Sequence, residues 1–101
     1  MVRYRTRPGV VLTYICGEYV LVAAKSILSI CPYVTQVNET SAFLWKQLVD
    51  GATAEQLEAA VTDEYEVDDP AQLRDAIGSF IHQMLELNYL LSEDQGGNNE
   101  S

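Results

Sequence analysis

Apolar positions change their rhythm once along this chain, at Asn38. Before it they alternate or cluster in short runs, as strands require; after it they recur at three- and four-residue spacing almost to the end. Val10-Val11-Leu12-Thr13-Tyr14-Ile15 is β-branched and aromatic and predicts a first strand, and Tyr19-Val20-Leu21-Val22-Ala23 predicts a second. Cys16-Gly17-Glu18 between them is a short turn in which Gly17 is free to take a positive φ, so residues 10–23 form a hairpin. Residues 1–9 read as a lead-in that ends at the Pro8-Gly9 turn. Lys25 to Pro32 mixes Ile27, Leu28 and Ile30 with Ser26, Ser29 and Pro32, and reads as a connection that partly covers the core. Tyr33-Val34-Thr35-Gln36-Val37 is a third strand, with Pro32 at its start, where a missing donor is harmless.

Asn38 is placed to cap the first helix, about 39–49, its side-chain oxygen accepting from orphan amides of the next turn. Ala42, Phe43, Trp45 and Leu48 build that helix's apolar face, while Lys46 and Gln47 turn to water. It stops at Asp50-Gly51, and Thr53 caps a second helix to about residue 65, with Leu57, Ala60 and Val61 facing inward. Glu66 to Asp69 is an acidic loop; Asp69 caps a third helix, and Pro70 suits its first turn. Leu73, Ile77, Phe80, Ile81 and Met84 carry the helical spacing toward residue 87, where Asn88 supplies a left-handed end. Tyr89-Leu90-Leu91 then folds back on the core. The fold class is α+β and winged-helix-turn-helix-like: an N-terminal three-stranded antiparallel sheet followed by three helices. Residues 1–91 form the domain, and 92–101, with Gly96-Gly97-Asn98-Asn99, read as a disordered acidic tail.

Composition narrows the function. A chain of 101 residues, 48% hydrophobic, supports one core. It holds no apolar run near the ~20 residues of a membrane span. The first residues lack the apolar core of a signal peptide, which points to a cytoplasmic protein. A net charge of −9 disfavours a phosphate backbone as partner, because such binding rests on Lys and Arg. The cations that exist crowd the start as Arg3, Arg5 and Arg7, whereas Asp and Glu dominate from residue 50 onward. Cys16 and Cys31 read as free thiols, and together with the lone His82 they do not make a metal site. His82 falls on the polar face of the third helix, with nothing beside it to suggest general base work. No cofactor motif, nucleophile–base pair or phosphate-binding glycine loop is present, so the chain reads as a binding protein rather than an enzyme.

Val37-Asn38-Glu39-Thr40-Ser41-Ala42, followed by Trp45-Lys46-Gln47-Leu48-Val49-Asp50-Gly51-Ala52-Thr53, resembles the PqqD-like family of peptide chaperones, also described as RiPP recognition elements. The likeness continues through Leu57, Glu64-Tyr65-Glu66-Val67 and Phe80-Ile81-His82-Gln83-Met84-Leu85-Glu86-Leu87-Asn88-Tyr89-Leu90, covering roughly residues 7–91. The ordered succession with matching gaps carries it more than any single motif. Phe43-Leu44-Trp45 is most similar to the free-standing members of lasso-peptide and radical-enzyme pathways. Two departures stand out: Asn88 where the family usually has Gly, and extra residues at Lys25 to Pro32. The resemblance implies a winged helix-turn-helix that binds the leader segment of a ribosomally made precursor peptide and delivers it to a maturation enzyme. It also implies that the leader adds as a strand against Tyr33, Val34, Thr35, Gln36 and Val37, in a groove beside the third helix.

Elementary physics agrees, since the last strand of a meander has an unpaired edge that templates strand addition. The same edge permits a homodimer. Both flanks of the third helix are apolar, with Ile77, Ile81 and Leu85 beside Arg74 and Gly78, and Ala76, Phe80 and Leu87 on the other side. The Arg74 side is the expected groove, because a lone cation beside a small residue suits a backbone carrying an acidic side chain. The alternatives are a winged-helix DNA-binding domain, on fold alone, and a general protein-interaction module.

Overall fold

A computed structural model describes residues 2–94 of the chain. Strands β2 (Val10–Ile15), β3 (Glu18–Ala23) and β4 (Val34–Val37) form an antiparallel meander in that order. Only two residues join β2 to β3, and both have positive φ, 52° at Cys16 and 80° at Gly17. Two left-handed residues in a two-residue loop match the twist of the flanking strands. Gly17 is expected there; Cys16 is not, since an L side chain is disfavoured in that region. Lys25–Ile27 is a 3-10 turn, from which Ile27 packs on the core and Cys31 is buried, so this connection does cover the core in part.

Asn38 caps α1 (Glu39–Leu48), accepting from the Ser41 amide at 2.7 Å. Thr53 caps α2 (Ala54–Glu64) in a full capping box, with Gln56 bonding back to the Thr53 amide at 2.8 Å. Asp69 caps α3 (Pro70–Glu86), accepting from Ala71 and Gln72, with Pro70 in the first turn. Asn88 ends the third helix at φ 64°. Leu44 is buried with Ala42, Trp45 and Leu48, while Phe43 is half-buried and meets Tyr65 edge-on at 5.4 Å. The core joins these to Leu21, Leu57, Val61, Ile77, Phe80, Ile81, Met84, Tyr89 and Leu90.

The lead-in and the tail differ from expectation. Residues Val2–Thr6 form strand β1, and Leu90–Asp94 form strand β6. The two pair antiparallel, from Val2 opposite Asp94 to Thr6 opposite Leu90. With β5 (Ala52–Thr53) on the other side of β1, they make a second three-stranded sheet, in the order β5-β1-β6. Arg5 bridges to Glu93 at 2.9 Å. Arg3 donates to the Gly51 and Asp50 carbonyls, which holds the turn after α1. Strand structure therefore reaches Asp94, three residues past the expected end of the domain, and the remainder of the expected tail, 95–101, lies outside the described residues.

The end of α3 is where these layers meet. Tyr89 is fully buried, its ring edge-on to Trp45 at 6.3 Å, and its hydroxyl lies 2.7 Å from Thr35 Oγ1 and 2.8 Å from the Pro32 carbonyl. The Asn88 side chain donates to the Ile30 carbonyl, and the Asn88 carbonyl accepts from Arg7 and from the Cys31 thiol. Trp45→Ala should cost about 3–5 kcal/mol in a denaturant titration, because the indole is 2% exposed. Tyr89→Phe should cost about 1–3 kcal/mol, since it strands the Thr35 hydroxyl and the Pro32 carbonyl without a partner.

Candidate functional site

Among the described residues, strand β4 pairs with β3 alone. The Ala23 amide donates to the Tyr33 carbonyl at 2.8 Å, and Leu21 and Tyr19 face Thr35 and Val37 in register. Antiparallel pairs alternate between bonded and non-bonded positions. The main-chain groups of Tyr33, Thr35 and Val37 therefore point at β3, and those of Val34 and Gln36 point away, to the open edge. Side chains alternate in the same way. Thr35 and Val37 are half-buried against the core, whereas Val34 and Gln36 are exposed. The sequence-expected strand begins one residue early, although Tyr33 already takes part through its carbonyl.

Where β4 runs into α1, a cleft of about 310 Å³ opens between the two helices α1 and α3. Asn38, Thr40, Ser41 and Leu44 line one wall, and Ala76, Ser79, Phe80 and Gln83 line the other. A second cleft, of about 420 Å³, shares Thr40 and Ala76 with the first and continues to the loop between α2 and α3. One groove thus follows α3 from the end of β4 toward the helix's N-terminus.

This groove lies on the flank opposite the expected one. Arg74 and Ala76 are two residues apart, which separates them by about 200° around a helix. Arg74 turns to α2, 3.6 Å from Glu58, and is not brought to β4. Ile77 and Ile81 are 1% and 5% exposed, so they are core residues and not groove lining. Leu85 is half-buried against the same core. Gly78 is exposed, and a Cβ built there meets nothing within 4 Å, so no packing inside the chain requires a glycine. The flank that sequence reasoning set aside, Ala76 and Phe80, faces the cleft. The signal that would have chosen it is Asn38, because the wall it begins fixes which side of α3 meets the end of β4.

The arginines are committed elsewhere. Arg3, Arg5, Arg7 and Arg74 bond to groups of the chain itself, and Lys46 lies 5.8 Å from the centroid of the Tyr19 ring. His82 is exposed, 3.5 Å from Glu86. Among the described residues no group of three or more His, Cys, Asp or Glu is placed to hold a metal ion, and no helix is long and apolar enough to cross a membrane. Cys16 is exposed and Cys31 buried, both as free thiols.

The sequence profile of coenzyme PQQ synthesis protein D (PqqD) matches residues 18–90, and the chain belongs to that family. Two solved structures share its fold. One, a lasso peptide synthetase B1 complexed with the leader peptide, is 24% identical, with a TM-score of 0.68 over 87% of this chain and 96% of that one. The other, TbiB1 in complex with the TbiA(beta) leader peptide, is 19% identical, with a TM-score of 0.67 over 94% of this chain and 99% of that one. No curated protein of matching sequence was found.

Gly78→Ala separates the two flanks. It should stabilise the helix by about 1 kcal/mol, raising the melting midpoint by ~4–8 °C for a domain near this size. Peptide affinity should not change; a loss would return the groove to the Gly78 side.

Proposed function

We propose that this protein binds the leader segment of a ribosomally made precursor peptide by strand addition to β4 and presents it, without catalysis of its own, to a maturation enzyme in the cytoplasm. The open main-chain groups of Val34 and Gln36 beside an apolar-floored groove carry this reading. An edge of this kind supplies affinity through backbone bonds that any sequence can make, and the adjoining groove supplies selectivity through side chains. Family membership supports it, as do the two structural relatives, each solved with a leader peptide. The peptide-contacting set that follows is the Val34 and Gln36 edge, with Tyr33, Thr35 and Val37 holding it to the sheet, and Ala76, Phe80 and Gln83 across the groove.

DNA binding fits the same fold less well. All four arginines are tied to the chain's own carbonyls and carboxylates, and the net charge is −9. A duplex needs several free cations aligned with its phosphates.

Calorimetry with the leader of a cognate precursor peptide tests the reading. Gln36→Pro deletes the amide at the open edge, and its ring obstructs an added strand; affinity should fall at least about tenfold, or ~1.4 kcal/mol. Gln36→Ala keeps the backbone and should bind nearly as the parent does. If Gln36→Pro, folded by circular dichroism, binds at full strength, strand addition to β4 is wrong.

A further inference from the structure

The groove does not end beside β4. Past Thr40 and Ala76 it widens into the 420 Å³ cleft, whose floor is apolar, with Val61, Val67 and Leu73 beneath the Tyr65 ring. Its rim is acidic. Asp69 is already engaged as the cap of α3, but Glu66 and Asp68 are exposed and form no ion pair among the described residues. Tyr65 is 38% exposed, and its ring packs nearly perpendicular to that of Phe43, 5.4 Å between centroids.

An apolar floor under an anionic rim has the shape of a long cationic side chain. The methylene stem of Lys or Arg packs on apolar surface while its head stays at the carboxylates. A guanidinium additionally stacks on an aromatic face, and here Tyr65 offers one. The chain itself directs none of its arginines to this cleft among the contacts described, since Arg3, Arg5, Arg7 and Arg74 are bonded elsewhere. A metal ion is a poorer occupant, because the carboxylates form no ligand cluster.

We propose that the cleft between the α2–α3 loop and α3 is a specificity pocket for a basic residue, arginine above lysine, of the bound peptide. The inference rests on strand addition to β4 and names which peptides that site prefers. Direction follows from the sheet. All its pairings are antiparallel, and a peptide that continues this pattern runs opposite to β4. Its N-terminal side therefore passes Asn38 and Thr40 and enters the acidic cleft, so the basic residue lies upstream of the segment that pairs.

The probe is a random dodecapeptide library displayed on phage, selected separately on the full chain, on the Glu66→Lys/Asp68→Lys double variant and on Gln36→Pro. Peptides selected on the parent should carry Arg or Lys upstream of an alternating apolar stretch, and selection on the double variant should lose that preference. A synthetic peptide from the parent selection should bind the double variant about tenfold more weakly at low salt, with the gap narrowing at ~0.5 M salt as screening sets in. Replacing its basic residue by Leu should abolish the difference between the two proteins. Both substituted positions are exposed, and circular dichroism checks that the fold is kept. If parent-selected peptides show no basic preference yet still fail to bind Gln36→Pro, the pocket is refuted and strand addition stands. If they bind Gln36→Pro unchanged, both fall.

Discussion

A single buried hydroxyl group, that of Tyr89, decides where the open strand lies. A phenol in an apolar interior must find partners for its O–H, or its burial is costly. Tyr89 finds two, the Pro32 carbonyl just ahead of β4 and the Thr35 hydroxyl within it. Its ring rests on Trp45 of α1, and its own backbone accepts from Arg7 and donates to Met84. The strand edge, the first helix, the third helix and the link between β1 and β2 are therefore fixed to one residue, the first two through its side chain and the last two through its backbone. Asn88 reinforces this from the neighbouring position by holding the Ile30 carbonyl. The extra length at Lys25 to Pro32 is thus fastened at its far end, and β4 enters the sheet from a defined point.

The cations show how an acidic chain can spend its few positive charges inward. Arg3 satisfies carbonyls after α1, Arg5 meets Glu93, and Arg7 meets the carbonyl that ends α3. Each joins segments far apart in sequence, so their work is to close the fold. The charges that remain facing water on α2, α3 and the loop between them are mostly carboxylates. The sheet's outer face contrasts with this: Val11 and Val34 flank Val22 across three strands, and all three present apolar side chains.

Features decided within a few residues were legible in the sequence. Asn38, Thr53 and Asp69 each accept from amides within three residues, and Asn88 takes the left-handed conformation that its residue type favours. The meander was legible because its partners are adjacent and its pattern alternates. Strands β1 and β6 were not, since their pairing joins the two ends of the described chain, and no local rhythm reports a contact at that separation. A clue did exist in Arg3 and Arg5 at one end and Glu93 at the other. The site divides in the same way. Alternation alone gives the open edge, but the choice of flank on α3 depends on where α1 docks, and a helical wheel with two apolar flanks is blind to that. Gly78 stands apart: nothing of the chain itself lies within 4 Å of a Cβ built there.

Pairing of Val2 with Asp94 has an architectural consequence. The two ends of the described chain leave the small sheet side by side, within about 5 Å, the spacing of neighbouring strands. A domain whose ends meet can be spliced into a surface loop of a host enzyme without parting its own sheets, since the host sees only a short gap to bridge. The peptide edge on the other sheet would remain unobstructed by that junction. Carried in this way, the module would hold any ligand of its open strand at a high effective concentration beside the host's catalytic centre, replacing a bimolecular encounter with a tether.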